Sequence, residues 1–368
     1  MCGSEQNYIA QAFNTNWIAP IGSNIDIFEN LIAKHLQHEV YVTALNSGTA
    51  ALHLALILLG VSKGDEVICQ SLTFAASANP ITYLGAKPVF IDSERDTWNM
   101  SPFQLERAIQ HRIELGTKPK AIIAVHLYGM PYKVQEIKDI ANKYNIPIIE
   151  DSAEALGSKF NGKQCSTFGN LGVLSFNGNK IITTSAGGAL VAKTPEIKQK
   201  AIYLATQARD DVPYYQHSEI GYNYRMSNIL AGIGRGQMEV LDKRIAAKRS
   251  IYKYYKARLE ANSHIEFLDE PKGFFSNRWL TCILTSSYEI REEIRLALEA
   301  DNIESRPLWK PLHLQPVFKK FPKYIDGTAE NIYERGLCLP SGTNIEEADM
   351  ERIIAIIRSK TERALKFA

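Results

Sequence analysis

Lys180 lies in Leu174-Ser175-Phe176-Asn177-Gly178-Asn179-Lys180, a polar, glycine-containing stretch that follows an apolar run. Upstream, Glu150-Asp151-Ser152-Ala153-Glu154 closes another apolar run with carboxylates. An amine on one loop and an aspartate at a strand end are the groups that pyridoxal phosphate asks of a protein. The amine condenses with the cofactor aldehyde as a Schiff base, and the carboxylate pairs with the protonated pyridine nitrogen. A lysine after Ser-Phe is by itself an ordinary solvated side chain, in a chain with 42 lysines and arginines. The chemistry therefore depends on the remaining parts of such a site.

Ser47-Gly48-Thr49-Ala50 follows an expected strand and opens an expected helix. Backbone N–H groups at that helix start, with the Thr49 hydroxyl, would receive a phosphate; the bland alternative is a simple N-cap. Phe74 follows the next strand and is placed to stack on a flat cofactor, or else is core. Asp151 ends a strand expected to be buried, so its carboxylate needs a partner: a pyridinium nitrogen, a salt bridge or an N-cap role. The Ser175 hydroxyl, near Lys180, offers a further phosphate contact. In Gly221-Tyr222-Asn223-Tyr224-Arg225-Met226, Asn223 and Arg225 flank one aromatic residue, which suits a loop reaching a phosphate or a charged substrate, or a solvated loop.

Other motifs lead nowhere. His35 and His38 lack a third ligand candidate, so no metal site is expected. Gly232-Ile233-Gly234-Arg235-Gly236 is not a dinucleotide fingerprint and falls inside a helical pattern.

The elements that must position these residues are a series of short apolar strands alternating with helices. Val40 to Leu45, Glu66 to Cys69, Pro88 to Ile91, Ala121 to Val125 and Pro147 to Ile149 read as strands, and Ala50 to Leu59 as a helix. This rhythm predicts an α/β fold with a mostly parallel sheet covered on both faces, whose ligands gather beyond the carboxyl ends of the strands. From Ile229 to Leu259 the pattern is helical. Trp279 to Leu284 then reads as a strand, Glu289 to Ala300 as a helix and Ile345 to Ile357 as a closing helix. Two domains are expected: residues 1–240, carrying the cofactor, and 241–368, a linker helix with a small C-terminal α+β domain.

The 368 residues, 45% of them hydrophobic, are enough for a large core. A net charge of +2 leaves no electrostatic footprint for nucleic acid or an anionic membrane. No apolar run reaches the ~20 residues that span a bilayer. Five scattered cysteines without CxxC spacing read as reduced thiols, and a cytoplasmic enzyme is the expectation.

With these residues in view, the chain resembles the DegT-type nucleotide-sugar aminotransferases, of the aspartate-aminotransferase fold (fold type I). The similarity runs from about Phe13 to the carboxyl terminus. It is carried by Asn16-Trp17-Ile18-Ala19-Pro20, Asn46-Ser47-Gly48-Thr49-Ala50-Ala51-Leu52-His53, Leu72-Thr73-Phe74, His126-Leu127-Tyr128-Gly129, Glu150 through Gly157, and Ser175-Phe176 through Lys180. The resemblance implies that Lys180 is the Schiff-base lysine and Asp151 the pyridinium partner. It places Thr49, Ala50 and Ser175 at the phosphate and Glu154 near the cofactor's phenolic oxygen, where many relatives have Gln or His. Asn223 would reach the phosphate from a partner subunit, which implies a homodimer with shared sites. Arg225, again across the interface, Trp309 and His313 would meet the substrate. The family also carries several residues, with a Pro-containing segment, before the position of Met1, so an internal start is expected here.

A narrower similarity lies in Asn177 through Ser185, Thr206-Gln207-Ala208-Arg209, Ser276 through Leu280, Glu304 through Lys310, and Leu339 through Thr343. These look like the subgroup that aminates C4 of UDP-4-keto-6-deoxy-N-acetylglucosamine on the way to bacillosamine. The implied reaction is a ping-pong transamination with L-glutamate as donor. Rivals are a GDP-linked (perosamine-type) or 3-keto-sugar aminotransferase, a dehydratase, which would carry histidine in place of Lys180, and a non-catalytic regulator that binds the cofactor.

Overall fold

Ala121-Ile122-Ile123-Ala124-Val125 is apolar at every position, and a run of that kind suits a strand buried on both faces. The computed structural model, which describes residues 1–37 and 39–367 with side chains to residue 362, bears this out. In chain order, the large sheet takes β1 (Tyr41–Leu45), β2 (Glu66–Gln70), β3 (Lys87–Ile91), β4 (Ala121–Val125) and β5 (Ile148–Asp151). After a short hairpin of β6 (Lys159–Phe160) and β7 (Lys163–Gln164) come β8 (Leu171–Ser175) and β9 (Gly188–Ala192). The remaining strands are β10 (Ile265–Phe267), β11 (Phe274–Phe275), β12 (Thr281–Thr285), β13 (Arg306–Pro307), β14 (Lys323–Tyr324) and β15 (Gly336–Leu339).

Eight strands form the large sheet in the order β1-β9-β8-β5-β4-β2-β3-β14. Neighbours from β8 to β14 pair parallel, whereas β9 runs antiparallel to both β8 and β1. Alternation along each strand divides the core. Val67, Cys69, Ile123 and Ile149 pack under the helix Gly48–Leu58, while Ile68, Val89, Ile122 and Ile148 face the helices Pro102–Glu114 and Val134–Tyr144. The helix Gly48–Leu58 is buried over most of its length, as its Ala- and Leu-rich sequence requires. Helix starts follow their capping residues: the side chains of Ser47, Ser101, Thr194, Ser227 and Ser287 each accept a first-turn N–H.

The helical stretch expected from Ile229 to Leu259 is two helices, Asn228–Glu239 and Leu241–Leu259, separated at Val240, whose φ of −116° and ψ of 7° leave the helical region. On the first of them, Gly234 and Gly236 leave room for neighbours. A Cβ on Gly234 would lie 2.6 Å from the Phe28 ring, and one on Gly236 2.8 Å from Glu5. That is why the helices Ser4–Asn14 and Ser23–Leu36 lie flush against it. The glycine run that cannot bind a dinucleotide is a packing seam.

A second sheet, β10-β12-β15-β13, packs against the helices Leu241–Leu259, Tyr288–Ala300 and Glu347–Phe367 through Ile251, Tyr255, Ile283, Ile294 and Ile354. The closing helix thus begins near its expected start and continues well past Ile357. Between β13 and β15 the chain returns to the large sheet: Leu312 and Phe318 enter its core, and β14 pairs with β3. No helix among the described residues is long and apolar enough to cross a membrane.

Candidate active site

The carboxyl ends of β5 and β8 open into a cleft of about 690 Å³. Its walls come from the start of the helix Gly48–Leu58, the turn after β2, the loop between β8 and β9, and the edge of the small sheet at β13 and β15. Lys180 sits on that β8–β9 loop. The loop is closed by the Phe176 N–H donating to the Gly187 carbonyl (2.8 Å) and the Thr184 N–H to the Phe176 carbonyl (2.9 Å). Phe176, Ile181 and Ile182 are buried beneath it. Apolar anchors on both sides of a polar tip therefore hold the lysine over the cleft.

The Lys180 Nζ lies 3.4 Å from Glu154 Oε1 and 4.2 Å from the centroid of the Trp279 ring. The indole in turn donates its N–H to the Asn179 carbonyl at 2.7 Å, which fixes the ring under the amine. Glu154 also accepts the Tyr128 N–H at 2.6 Å. Burial raises the Glu154 carboxyl from the usual range to about 7, against the opposing pull of Lys180. At the sheet end, Asp151 is braced rather than salt-bridged. Its Oδ2 accepts from the Ser77 hydroxyl (2.7 Å), itself 2.8 Å from the Thr73 hydroxyl, and its Oδ1 accepts the Ala153 N–H (3.2 Å).

Opposite, the helix start at Ser47-Gly48-Thr49 is pressed against β8 and β9. A Cβ on Gly188 would fall 2.4 Å from the Gly48 nitrogen, and one on Gly48 would fall 3.3 Å from the Ser175 hydroxyl. Thr49 and Ser175 line the cleft together. Ala50 is buried just behind, its N–H taken by the Ser47 hydroxyl at 3.0 Å. Phe74 and Trp309 wall the mouth, with ring centroids 5.6 Å apart, and Trp309 continues into Tyr128 at 4.9 Å.

These residues fit pyridoxal phosphate. A carboxylate at the strand end would hold the ring nitrogen, a helix N-terminus flanked by two hydroxyls would hold the phosphate, and an amine stands over the space between. The chemistry of the donor set, not its number, makes the fit. When bound, the cofactor supplies an aldehyde that captures an amine and a ring that takes up the electron pair left when a proton departs.

Three expected site residues stand elsewhere in this chain. The Arg225 guanidinium is turned inward, donating to Glu29 (2.5 Å) and to the Ala44 carbonyl (3.0 Å). His313 is buried behind the cleft wall, between the Ser71 hydroxyl (2.7 Å) and Glu330 (2.9 Å). Asn223 stands beside the cleft; its carbonyl accepts from the side chain of Asn46, a lining residue. His35 lines a different, shallow pocket with Lys159, Asp242 and Arg249, and His38 lies outside the described residues. No cluster of three metal-ligating side chains occurs among the described residues. Conversely, Ser77, Tyr128 and Trp279 line the cleft although the sequence alone gives them no role. The motifs holding Tyr128 and Trp279 stand out, but nothing in the spacing joins them to Lys180.

The DegT/DnrJ/EryC1/StrS aminotransferase family model matches residues 2–358. The chain belongs to that family. It is 50% identical over 361 residues to EpsN of Bacillus subtilis (strain 168), covering 97% of this chain and 93% of that one. The EpsN name assigns that protein provisionally as a pyridoxal phosphate-dependent aminotransferase. A GDP-perosamine synthase of Escherichia coli O157:H7 is 40% identical over 363 residues, covering 98% and 96% of the two chains. Among solved structures, a DegT DnrJ EryC1 StrS aminotransferase from Brucella abortus superposes with a TM-score of 0.91 at 30% identity, over 97% and 95% of the chains. The fold is therefore that of the fold type I enzymes, and the protein is a pyridoxal phosphate-dependent aminotransferase.

Proposed function

We propose that this aminotransferase moves an amino group from L-glutamate to C4 of a nucleotide-linked 4-keto-6-deoxy sugar, the UDP-linked N-acetylglucosamine derivative above all. The observation that carries the reading is the Lys180–Glu154–Trp279 cluster over Asp151, at the inner end of a cleft whose mouth is aromatic and wide enough for more than the cofactor. Aminotransferases of nucleotide-linked sugars need such an opening, because the nucleotide must remain outside while the sugar carbonyl reaches the amine.

With the cofactor held in the cleft, Lys180 would serve as the base that takes the proton from the donor's α carbon, and the Trp279 ring 4.2 Å from its Nζ would give the amine a face to rest on. Asp151, held by Ser77 and the Ala153 N–H, keeps the pyridine nitrogen protonated. Glu154 orients the amine. In the second half-reaction Lys180 returns a proton to the sugar C4, completing the exchange. Asn223 is assigned to the phosphate of a partner subunit, in a homodimer.

The UDP-linked substrate is supported by the motifs Ser276 through Leu280, Glu304 through Lys310 and Leu339 through Thr343, all of which contribute residues to the cleft. A GDP-linked sugar is the second reading, favoured by the 40% identity to a GDP-perosamine synthase. The deciding experiment incubates the cofactor-loaded protein with glutamate and a panel of UDP-, GDP- and dTDP-4-keto-6-deoxy sugars, and identifies the amino sugar by NMR. A UDP-4-amino sugar is expected. Conversion of the GDP sugar alone would establish the second reading, and conversion of none would contradict both.

A further inference from the structure

β1 is an edge strand of the large sheet, so the backbone groups on its outer side need partners from elsewhere. The segment Tyr224–Met226 supplies most of them. The Asn46 N–H donates to the Tyr224 carbonyl at 2.7 Å, the Met226 N–H donates to the Ala44 carbonyl at 3.3 Å, and Leu45 bridges Arg225 antiparallel. The Ala44 N–H goes to a side chain instead: Glu29 Oε1 accepts it at 2.8 Å. The same oxygen accepts from the Arg225 guanidinium at 2.5 Å, and Arg225 donates again to the Ala44 carbonyl at 3.0 Å. Glu29 Oε2 accepts from Lys198 Nζ at 2.7 Å. The Glu29 and Arg225 side chains are 3% and 9% exposed, so water screens this clamp little.

What the clamp holds lies beside the cleft, although Glu29 itself does not line it. Ala44 leads directly through Leu45 and Asn46 into Ser47, whose hydroxyl accepts the Ala50 N–H at the start of the helix Gly48–Leu58. Asn46, Ser47, Gly48 and Thr49 all line the cleft. The segment on the other arm of the clamp carries Asn223, whose carbonyl accepts from the Asn46 side chain at 3.1 Å. We infer that Glu29 is a positioning residue for the cofactor phosphate, fixing the end of β1 and the turn Ser47–Thr49 against the segment that carries Asn223. The inference rests on the assignment of the phosphate to that helix start. A buried carboxylate with every partner in place holds two chain segments in one register, whereas a loosened clamp lets the donors of the turn drift from the phosphate oxygens.

The test compares two ligands that share an aldehyde and a ring and differ in the phosphate. Apoprotein is titrated with pyridoxal phosphate and with pyridoxal, and binding is followed by tryptophan fluorescence. The wild type should bind pyridoxal phosphate the more tightly. Glu29→Gln keeps an acceptor for the Ala44 N–H but leaves Arg225 and Lys198 without their counter-charge. It should weaken pyridoxal phosphate by about 10-fold, as expected for a misplaced charge-assisted hydrogen bond, and change pyridoxal by less than about twofold. Arg225→Lys keeps the charge and loses the fork to the Ala44 carbonyl, so it should lower the preference for the phosphate in the same direction and by less. If Glu29→Gln does not fold, Arg225→Lys decides alone. A preference equal to the wild type's would overturn the inference, and so would an equal loss for both ligands, which marks general loosening of the fold. A wild type that binds the two ligands equally would instead remove the phosphate assignment on which the inference rests.

Discussion

Glu154 holds two donors at once, the Lys180 ammonium and the Tyr128 N–H, in a position closed to water. Its folded-state value of about 7 lies above the ordinary 4.5, so between those values the folded chain binds a proton that the unfolded chain releases. Stability from this group is therefore complete below pH 4.5 and is lost as the pH rises to about 7, a loss on the order of 2–3 kcal/mol. Glu154→Gln keeps the shape and removes the titration. In urea unfolding of the apoprotein, the variant should exceed the wild type by that order at pH 8, and the two should converge as the pH falls to 4.5. A gap that is the same at both ends would show that the carboxyl is not the cause.

The elements are legible where burial is two-sided. β2, β4 and β5 read as strands because each is built around an apolar run, and Asp151 stands out as a candidate because a carboxylate closes such a run. β9 is not legible: Gly188-Ala189-Leu190-Val191-Ala192 is just as apolar, but nothing local reveals that it turns back antiparallel to carry the Lys180 loop. Two-residue strands such as β13 and β14 carry no periodicity at all. The helices Ser4–Asn14 and Ser23–Leu36 escape a local reading because their fit depends on the distant glycines of the helix Asn228–Glu239.

That seam can be tested. Gly234→Ala would drive a Cβ into the Phe28 ring, which lies edge-on to Phe176, the anchor of the Lys180 loop, at 5.1 Å. Overpacking of this kind should cost about 1–3 kcal/mol in urea unfolding. Gly178→Ala, on the loop itself with nothing within 4 Å of the new Cβ, should change stability by less than about 0.5 kcal/mol. Equal effects from both would remove the packing explanation.

For the whole molecule, the proposed dimer makes each active site depend on two chains. Asn223→Ala homodimers and Lys180→Ala homodimers should each be weak or inactive. Subunit exchange between them should restore activity, because one site of the mixed dimer receives an intact Lys180 from one chain and an intact Asn223 from the other. If Asn223 serves its own chain, every mixed site keeps one lesion and nothing is restored, with mixed dimers verified by mass spectrometry. The most direct measurement of all concerns Lys180. Borohydride reduction of the cofactor-loaded enzyme, followed by peptide mapping, should place the pyridoxyl group on Lys180 and nowhere else, and Lys180→Ala should take up none. A reduced adduct mapped to any other lysine would contradict the account at its centre.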